Sequence, residues 1–371
     1  MRLLLHPLLC GLIGLAYLAV IPAANAAEVF QQPVGMRSAH FQDPTRRNWS
    51  DSGARPLETL IWYPATAGTQ EADWEVAIFK AGHSAKGAAI SASPAKLPLI
   101  VLSHGTGGAA MGLAWLGEAL AANGYVVAAV NHHGNTAAES TQPLQGTLVW
   151  WDRPQDISVL IDRLLADPQW GSRIDASRIG VAGFSIGGYT ALASVGARLS
   201  SAQWQKVCTD ATTASSCKLP PEVSSKFPEG EAERLLTKDQ RVLNAVIHMD
   251  DDYRDRRIKA AFVIAPVVGM AMRHDSLGAI TVPVQIVVGS DDDQAIPHFN
   301  AESIAKAIPN VKLDILPKVT HDSFLPVCND RGKNYVKELC VDPSGVDREG
   351  LHKYVAIRAI EFFGQALHTS P

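Results

Sequence analysis

Short apolar segments recur along the chain, bounded by turn residues and separated by stretches with helical spacing. Such segments are typical of strands buried on both faces of a sheet. The predicted strands are 57–63, 97–102, 125–130, 179–184, 259–265, 282–288 and 311–316. The predicted helices are 109–122, 154–166, 186–194 and 350–367. Strands that alternate with helices predict an α/β fold, in which a mostly parallel sheet carries helices on both faces.

Three stretches do not follow this alternation. The polar residues before about Arg55 predict an irregular segment, and residues 65–96 predict a loop with one short strand at 74–79. Residues 197–258 form an insertion with helix-like, charged stretches such as 231–249. An insertion at this point can cover the carboxyl ends of the strands, so a lid and a peripheral excursion are both compatible with the sequence.

Composition and charge narrow the class of protein. The chain has 371 residues, of which 47% are hydrophobic and 19% charged, so it can bury a large core and is not a disordered sequence. Its net charge of −4 gives no reason to expect nucleic acid or an anionic membrane as a partner. We expect a monomer that acts on a small molecule.

The amino terminus has the pattern of a secretory signal peptide. Arg2 precedes an apolar run at 8–21, which is followed by Pro22 and the small-residue site Ala24-Asn25-Ala26. We expect cleavage after Ala26, so that residues 1–26 are the signal peptide and 27–371 the mature domain, periplasmic or secreted without a membrane anchor. An uncleaved anchor is the alternative, although the run is short for a membrane span.

Cysteine usage agrees with export. Cleavage leaves four cysteines, Cys208, Cys217, Cys328 and Cys340. An even number in an exported protein suggests disulfides, and the two close pairs suggest 208–217 and 328–340, although the sequence does not exclude other connectivities.

The motif that carries chemistry is Gly183-Phe184-Ser185-Ile186-Gly187. It lies between a predicted strand and a predicted helix, where a sharp turn holds the serine hydroxyl above the sheet. Glycine is suited to the flanking positions because a Cβ would clash there. The strand and helix context favours a nucleophile over an ordinary tight turn.

A serine nucleophile needs a base and an acid that orients the base. In this type of site the acid and then the histidine follow the serine, each on a loop after a later strand. His321 follows strand 311–316, and the aspartates 291–293 follow strand 282–288. Calcium binding by these aspartates is the weaker interpretation, because the run lacks the spaced oxygen ligands of a calcium loop.

Negative charge that develops on the substrate oxygen needs hydrogen-bond donors. We expect the backbone N–H of Ile186 to be one donor and that of Thr106, in the glycine-rich turn 103–108, to be the other. A purely structural turn is compatible with the same sequence. The histidines 104, 132 and 133 are compatible with lining the pocket, with packing and with a surface position. Trp150-Trp151 are predicted to bury hydrophobic area, with a substrate wall as the alternative.

These pieces together resemble the α/β-hydrolase superfamily. In detail the chain is similar to exported bacterial proteins described as predicted dienelactone hydrolases, which are related to platelet-activating-factor acetylhydrolases and polyester cutinases. The matching segments are IWYPA at 61–65, SHGTGG at 103–108, NHHGNT at 131–136, WWDRP at 150–154, GFSIGG at 183–188, GSDDDQAIP at 289–297 and THDSF at 320–324. Dienelactone hydrolases use a cysteine nucleophile, whereas position 185 is serine, so the resemblance implies ester hydrolysis rather than a dienelactone substrate.

The resemblance also bears on the choice of acid. Counting from Gly289 selects Asp292, as in many α/β-hydrolases, whereas the cutinase-like spacing to both Gly289 and Pro297 selects Asp293. We therefore predict a triad of Ser185, Asp293 and His321, with Asp292 as the alternative acid and Asp291 as a solvated turn residue.

The sequence as a whole predicts an exported serine hydrolase that cleaves carboxylic esters through an acyl-enzyme and needs neither cofactor nor metal. An amidase or peptidase with the same triad, and a catalytically silent binding protein on the same fold, are the alternatives.

Overall fold

The computed structural model of the protein describes residues 32–219 and 221–368, and its central feature is a single sheet. The strands are β1 (Val34–Arg47), β2 (Ala54–Pro64), β3 (Ala72–Val76), β4 (Phe79–Lys86), β5 (Leu97–Ser103), β6 (Val126–His132), β7 (Ile174–Phe184), β8 (Ile258–Ile264), β9 (Val284–Gly289) and β10 (Val311–Leu316). They form a ten-stranded sheet in the order β10-β9-β8-β7-β5-β6-β2-β1-β4-β3. The six strands from β10 to β6 are parallel to one another, so the predicted mostly parallel sheet is confirmed.

Helices cover the sheet as the alternating pattern predicts. They are α1 (Ala114–Ala122), α2 (Leu144–Leu148), α3 (Arg153–Ala166), α4 (Ile186–Ser194), α5 (Ser201–Thr209), α6 (Pro221–Ser224), α7 (Glu231–Lys238), α8 (Gln240–Val246), α9 (His274–Gly278), α10 (Ala301–Ala307), α11 (Asp330–Tyr335), α12 (Lys337–Cys340) and α13 (Arg348–His368). Helix α1 packs on α13, and α3 packs on α4. Strands β5 to β9 lie almost entirely in the core between these layers.

The prediction of an irregular amino-terminal segment is wrong. Residues 34–47 form strand β1, which pairs with β2 in antiparallel register from Val34 opposite Pro64 to Asp43 opposite Arg55. Much of β1 alternates between half-buried and exposed positions, so few of its side chains need to be apolar. Backbone hydrogen bonds with β2 therefore stabilise β1, although its sequence lacks the apolar pattern of a buried strand.

The insertion folds into helices α5 to α8 and is tied to the body of the protein. The ring of Trp204 meets that of Trp150 edge-on at 5.7 Å, and the indole N–H of Trp151 donates to the carbonyl oxygen of Ala245 at 3.0 Å. Arg241 lies over the ring of Trp49 and donates to the carbonyl oxygen of that residue. That the insertion 197–258 acts as a lid stays a prediction.

The cysteines pair as the sequence suggests. Disulfides join Cys208 to Cys217 and Cys328 to Cys340. The proposed signal peptide and its cleavage site lie outside the described residues. Within residues 32–219 and 221–368, no helix has the length and apolarity needed to cross a membrane.

Glu118 is a buried carboxyl group between α1 and β4. Its Oε2 accepts a hydrogen bond from the backbone N–H of His83 at 2.8 Å, and its side chain fills the space beside Gly82. Burial raises the pKa of Glu118 to about 7, while the hydrogen bond from His83 opposes this shift. The carboxyl group is therefore easier to bury in its protonated form.

This burial predicts a pH dependence of stability. The folded-state pKa of Glu118 lies above its usual value of 4.5, so the folded protein binds the proton more tightly than the unfolded chain. Stability should consequently fall as the pH rises between these two values, by up to about 3 kcal/mol.

Urea unfolding at about pH 5 and about pH 8 checks this expectation. The wild type should lose more stability across this range than Glu118→Gln, which cannot titrate. The matched control Glu229→Gln, at an exposed position, should behave as the wild type does. An unchanged pH dependence in Glu118→Gln would contradict the assignment.

Candidate active site

Ser185 occupies a strained turn between strand β7 and helix α4. Its backbone angles are φ 58° and ψ −120°, which a residue with a side chain rarely adopts. A Cβ at Gly183 would clash with the carbonyl oxygen of Gly187, and a Cβ at Gly187 would clash with that of Ser103. Both positions of the motif therefore require glycine, because the turn packs directly on its own backbone and on the end of β5.

Three side chains meet above the carboxyl ends of the parallel strands. The Oγ of Ser185 lies 2.9 Å from Nε2 of His321, and Nδ1 of His321 lies 2.8 Å from Oδ2 of Asp292. A carboxylate only accepts hydrogen bonds, so the proton sits on Nδ1 and Nε2 is free to accept from the serine hydroxyl. The ring of Phe184 packs on the imidazole with centroids 4.8 Å apart.

Backbone proximity at the sheet edge brings the acid and the histidine together. His321 follows β10 and Asp292 follows β9, and these two strands are neighbours. Gly289 at the end of β9 touches the carbonyl of Val319, where a Cβ would clash. The three side chains are at most 8% exposed, so little water competes for their hydrogen bonds.

The predicted contact between Asp293 and His321 is not formed, since Asp292 is the residue that contacts His321. The Oδ1 of Asp292 accepts the backbone N–H groups of Gln294 and Ala295 at 3.1 and 2.6 Å, which folds residues 292–295 into a tight turn. The spacing to Pro297 does not indicate that the loop turns at Asp292, which directs this residue rather than Asp293 towards the imidazole. Asp293 and Asp291 are exposed, and Asp291 accepts a hydrogen bond from Ser290.

The turn after β5 lies beside the nucleophile, as predicted for the second oxyanion donor. A Cβ at Gly105 would lie 3.4 Å from the Cβ of Ser185. The N–H groups of Gly107 and Gly108 donate to Asn135 Oδ1 and to the carbonyl of Gly105. Within the described ranges, no acceptor takes the N–H of Thr106 or of Ile186. These are the two donors that the sequence predicts.

The histidines for which the sequence left several interpretations open are packed. His104, in the 103–108 turn, and His132, at the end of β6, are buried and contact each other, with ring centroids 5.1 Å apart. His133 pairs with Glu139 and accepts the backbone N–H of Trp49. Trp151 is buried, whereas Trp150 is half-buried and contacts Tyr189 and Trp204.

Among the described residues, no group of three or more His, Cys, Asp or Glu side chains is arranged to hold a metal ion. The exposed aspartates at 291 and 293 therefore do not complete a cluster of this kind.

A protein-family model matches most of the region that contains the candidate site. The family model described as "Serine aminopeptidase, S33" matches residues 94–325, which is more than half of the chain. The chain belongs to this family. The matched region contains the serine, aspartate and histidine motifs of the chain, which has an α/β-hydrolase fold.

Solved structures agree with this fold. A ferulic acid esterase from Streptomyces cinnamoneus is 23% identical to the S33 hydrolase, with a TM-score of 0.62 over 94% of this chain and 93% of that chain. No curated protein matches the chain. The likeness to the exported dienelactone hydrolase branch stays a prediction.

A group that holds the His321 loop was missed at the level of sequence. Ser323 Oγ donates to Asp342 at 2.6 Å and is bonded to Thr320 Oγ1 at 2.9 Å, so the residues on both sides of His321 are tied together. Arg348 at the start of α13 donates to the same Asp342 carboxylate at 2.8 Å. No local pattern reveals these contacts, because they join loops that lack any periodic spacing.

Proposed function

We propose that this S33 hydrolase is an exported enzyme that cleaves small carboxylic esters through an acyl-enzyme intermediate. One observation carries the proposal: the hydrogen bonds that connect Ser185 to His321 and His321 to Asp292, at a strained turn that follows the carboxyl end of β7. Such a chain supplies a nucleophile, its base and the group that orients the base.

The reaction begins with attack of Ser185 Oγ on the ester carbonyl carbon. Nε2 of His321 takes the hydroxyl proton, while Asp292 stabilises the imidazolium that forms. The tetrahedral oxyanion accepts hydrogen bonds from the N–H groups of Ile186 and Thr106. His321 then gives its proton to the departing alkoxide, which leaves the acyl group on Ser185.

Water completes the cycle. His321 takes a proton from a water molecule, whose oxygen attacks the acyl carbon, and Ser185 leaves with the proton returned by His321. The carboxylic acid is released and the resting hydrogen bonds reform. Every proton in the cycle passes through Nε2 of His321, so the sequence of steps needs no other titrating group.

Export is part of the proposal. Two disulfides support an oxidising compartment, since such bonds are rare in proteins kept in the cytosol. The small-residue site at 24–26 supports cleavage of a signal peptide. We propose that the mature chain acts in the periplasm or outside the cell as a monomer, without nucleic acid or a membrane anchor as a partner.

A peptidase is the second candidate function. The description of the family model as a serine aminopeptidase favours it, and the same triad cleaves amides. The similar solved structure is that of a ferulic acid esterase, which supports the ester reaction instead. Esters also release a better leaving group than amides, so an ester activity demands less of the general acid.

Hydrolysis of p-nitrophenyl esters of increasing chain length, compared with alanine p-nitroanilide, tests the proposal. We expect turnover of the esters, with the highest kcat/KM at one range of chain lengths, and no measurable release from the anilide. Preferential cleavage of the anilide would favour the aminopeptidase. Inertness towards every substrate would support a silent binding protein.

A further inference from the structure

A second hydrogen-bonded Ser–His–Asp group is buried at the start of the 103–108 turn. Ser103 Oγ lies 2.8 Å from Nε2 of His132, and Nδ1 of His132 lies 2.9 Å from Oδ2 of Asp156. The atoms are connected in the same way as in the chain from Ser185 to Asp292. Since the Asp156 carboxylate accepts from Nδ1, Ser103 donates its hydroxyl proton to Nε2.

This chain is unsuited to catalysis. Ser103, His132 and Asp156 are at most 1% exposed, so no substrate reaches the hydroxyl. Burial lowers the pKa of His132 to about 4, which makes it a poor base. Arg55 binds both oxygens of Asp156 at 2.8 and 2.9 Å and neutralises the carboxylate that would have to support an imidazolium.

The hydrogen-bonded group of Ser103, His132 and Asp156 is connected to the rest of the 103–108 turn through His104. The backbone N–H of His132 donates to Nε2 of His104 at 3.1 Å, and Nδ1 of His104 donates to the carbonyl oxygen of Gly105 at 2.7 Å. The position of the His104 ring, and through it the Gly105 carbonyl, therefore depends on the end of β6.

Arg153 holds the same turn from helix α3. Its Nη1 donates to the carbonyl oxygen of His104 at 2.7 Å, and the residue is 1% exposed. Within residues 32–219 and 221–368, its Nε and Nη2 have no hydrogen-bond partner. Burial of a guanidinium group with few hydrogen bonds lowers the stability of the folded state. The contact between Arg153 and the His104 carbonyl is therefore not explained by stability.

That carbonyl group adjoins the nucleophile turn. A Cβ at Gly187 would lie 2.9 Å from the carbonyl oxygen of His104. Thr106 is two residues further along the turn, and Ile186 directly precedes Gly187. A shift of the His104 carbonyl therefore changes the separation between the two N–H groups assigned to the oxyanion.

We infer that Arg153 and the Ser103–His132–Asp156 chain are positioning residues, which fix the 103–108 turn so that the N–H of Thr106 faces the oxyanion formed at Ser185. They act through the turn and do not touch the substrate. The inference rests on the proposed function, because it concerns the oxyanion of that reaction.

The test compares Arg153→Lys and Arg153→Met with Arg257→Lys. Arg257 is the control, since it is a partly buried arginine just before β8 whose hydrogen bonds go to Asp255 and to Ser158 and Asp162 of α3 rather than to the 103–108 turn. Ser103→Ala is a milder variant that removes one hydroxyl group. The measurements are kcat and KM for a p-nitrophenyl ester, Ki for an alkyl trifluoromethyl ketone and the unfolding temperature.

If the variants displace an oxyanion donor, we expect characteristic changes in kcat, KM and Ki. Loss of one such donor costs about 10² to 10³ in kcat, so a misplaced one should lower kcat by about 10- to 100-fold in Arg153→Met, and less in Arg153→Lys and Ser103→Ala. KM should change little. Ki for the ketone, whose adduct carries an oxyanion, should rise in proportion to the loss of kcat/KM. Arg257→Lys should lower only the unfolding temperature.

Two results would overturn the inference, and they differ in what they imply for the reaction. If the folded Arg153 and Ser103 variants keep wild-type kcat and Ki while the wild type is active, the buried chain has no positioning function and the proposed function stands. If the wild type neither hydrolyses esters nor binds the ketone, the proposed function fails and the inference fails with it. Ser103→Ala keeps the test decisive if the arginine variants do not fold.

Discussion

Replacement of Ser185 by alanine should reduce ester turnover by about 10⁵- to 10⁶-fold. The hydroxyl oxygen of Ser185 lies at the strained turn, 2.9 Å from Nε2 of His321. Loss of a triad nucleophile removes the acyl-enzyme route and leaves the residual acceleration from binding and the oxyanion donors. Initial rates with an activated ester at high enzyme concentration measure this loss.

The fold should survive the Ser185 substitution. Alanine adds no volume, although the positive φ at this position is strained for any residue with a Cβ. An unfolding temperature near that of the wild type would show that the loss of turnover is chemical. Wild-type turnover in Ser185→Ala would contradict the assignment of the nucleophile.

Replacement of Asp292, the residue that contacts His321, should have the second largest effect on turnover. Asp292→Asn should lower kcat by about 10⁴-fold, because an amide N–H₂ facing Nδ1 favours the histidine tautomer that carries its proton on Nε2. That tautomer cannot accept the proton of Ser185. Because binding does not use this carboxylate, KM should change far less than kcat. Steady-state kinetics of the purified variant measure both.

Asp293→Asn is the matched control, since it is the neighbouring residue of the same type. Asp293 is exposed and does not contact His321, so its replacement should change kcat only slightly. A large loss in Asp293→Asn combined with near-normal activity in Asp292→Asn would reverse the assignment. It would also imply that the 292–295 turn rearranges when substrate binds.

Much of the fold was predictable because its central strands are buried on both faces. Strand β5 is apolar up to Ser103, and β9 is apolar except for Gln285, so both can be recognised as buried strands without any knowledge of their neighbours. Strand β1 was not predictable in this way. Its stability comes from backbone pairing with β2, and its half-exposed side chains leave no clear apolar pattern.

The candidate site divides along similar lines. Ser185 and His321 follow strands at the edge where such groups gather, so motif and position locate them. Which aspartate contacts His321 depends on the conformation of the loop after β9. The count from Gly289 selected Asp292 and the spacing to Pro297 selected Asp293, and only the turn that Asp292 forms through hydrogen bonds from two backbone N–H groups decides between them.

The buried polar groups were the least predictable part. Arg153 and Asp156 lie on a helix whose apolar spacing predicts only packing, and their partners come from β2, β6 and the 103–108 turn. Sequence alone does not reveal which polar residues of a helix face inward when distant segments supply the hydrogen bonds. The function of such residues becomes apparent only from the assembled sheet.

The central claim is that Ser185 is an activated nucleophile, and one measurement tests it most directly. Wild type and Ser185→Ala are treated with an alkyl fluorophosphonate, and the adduct is located by peptide mass spectrometry. The account predicts one adduct per wild-type chain, on Ser185, and none on the variant. Labelling at another residue, or no labelling of the folded wild-type protein, would contradict it.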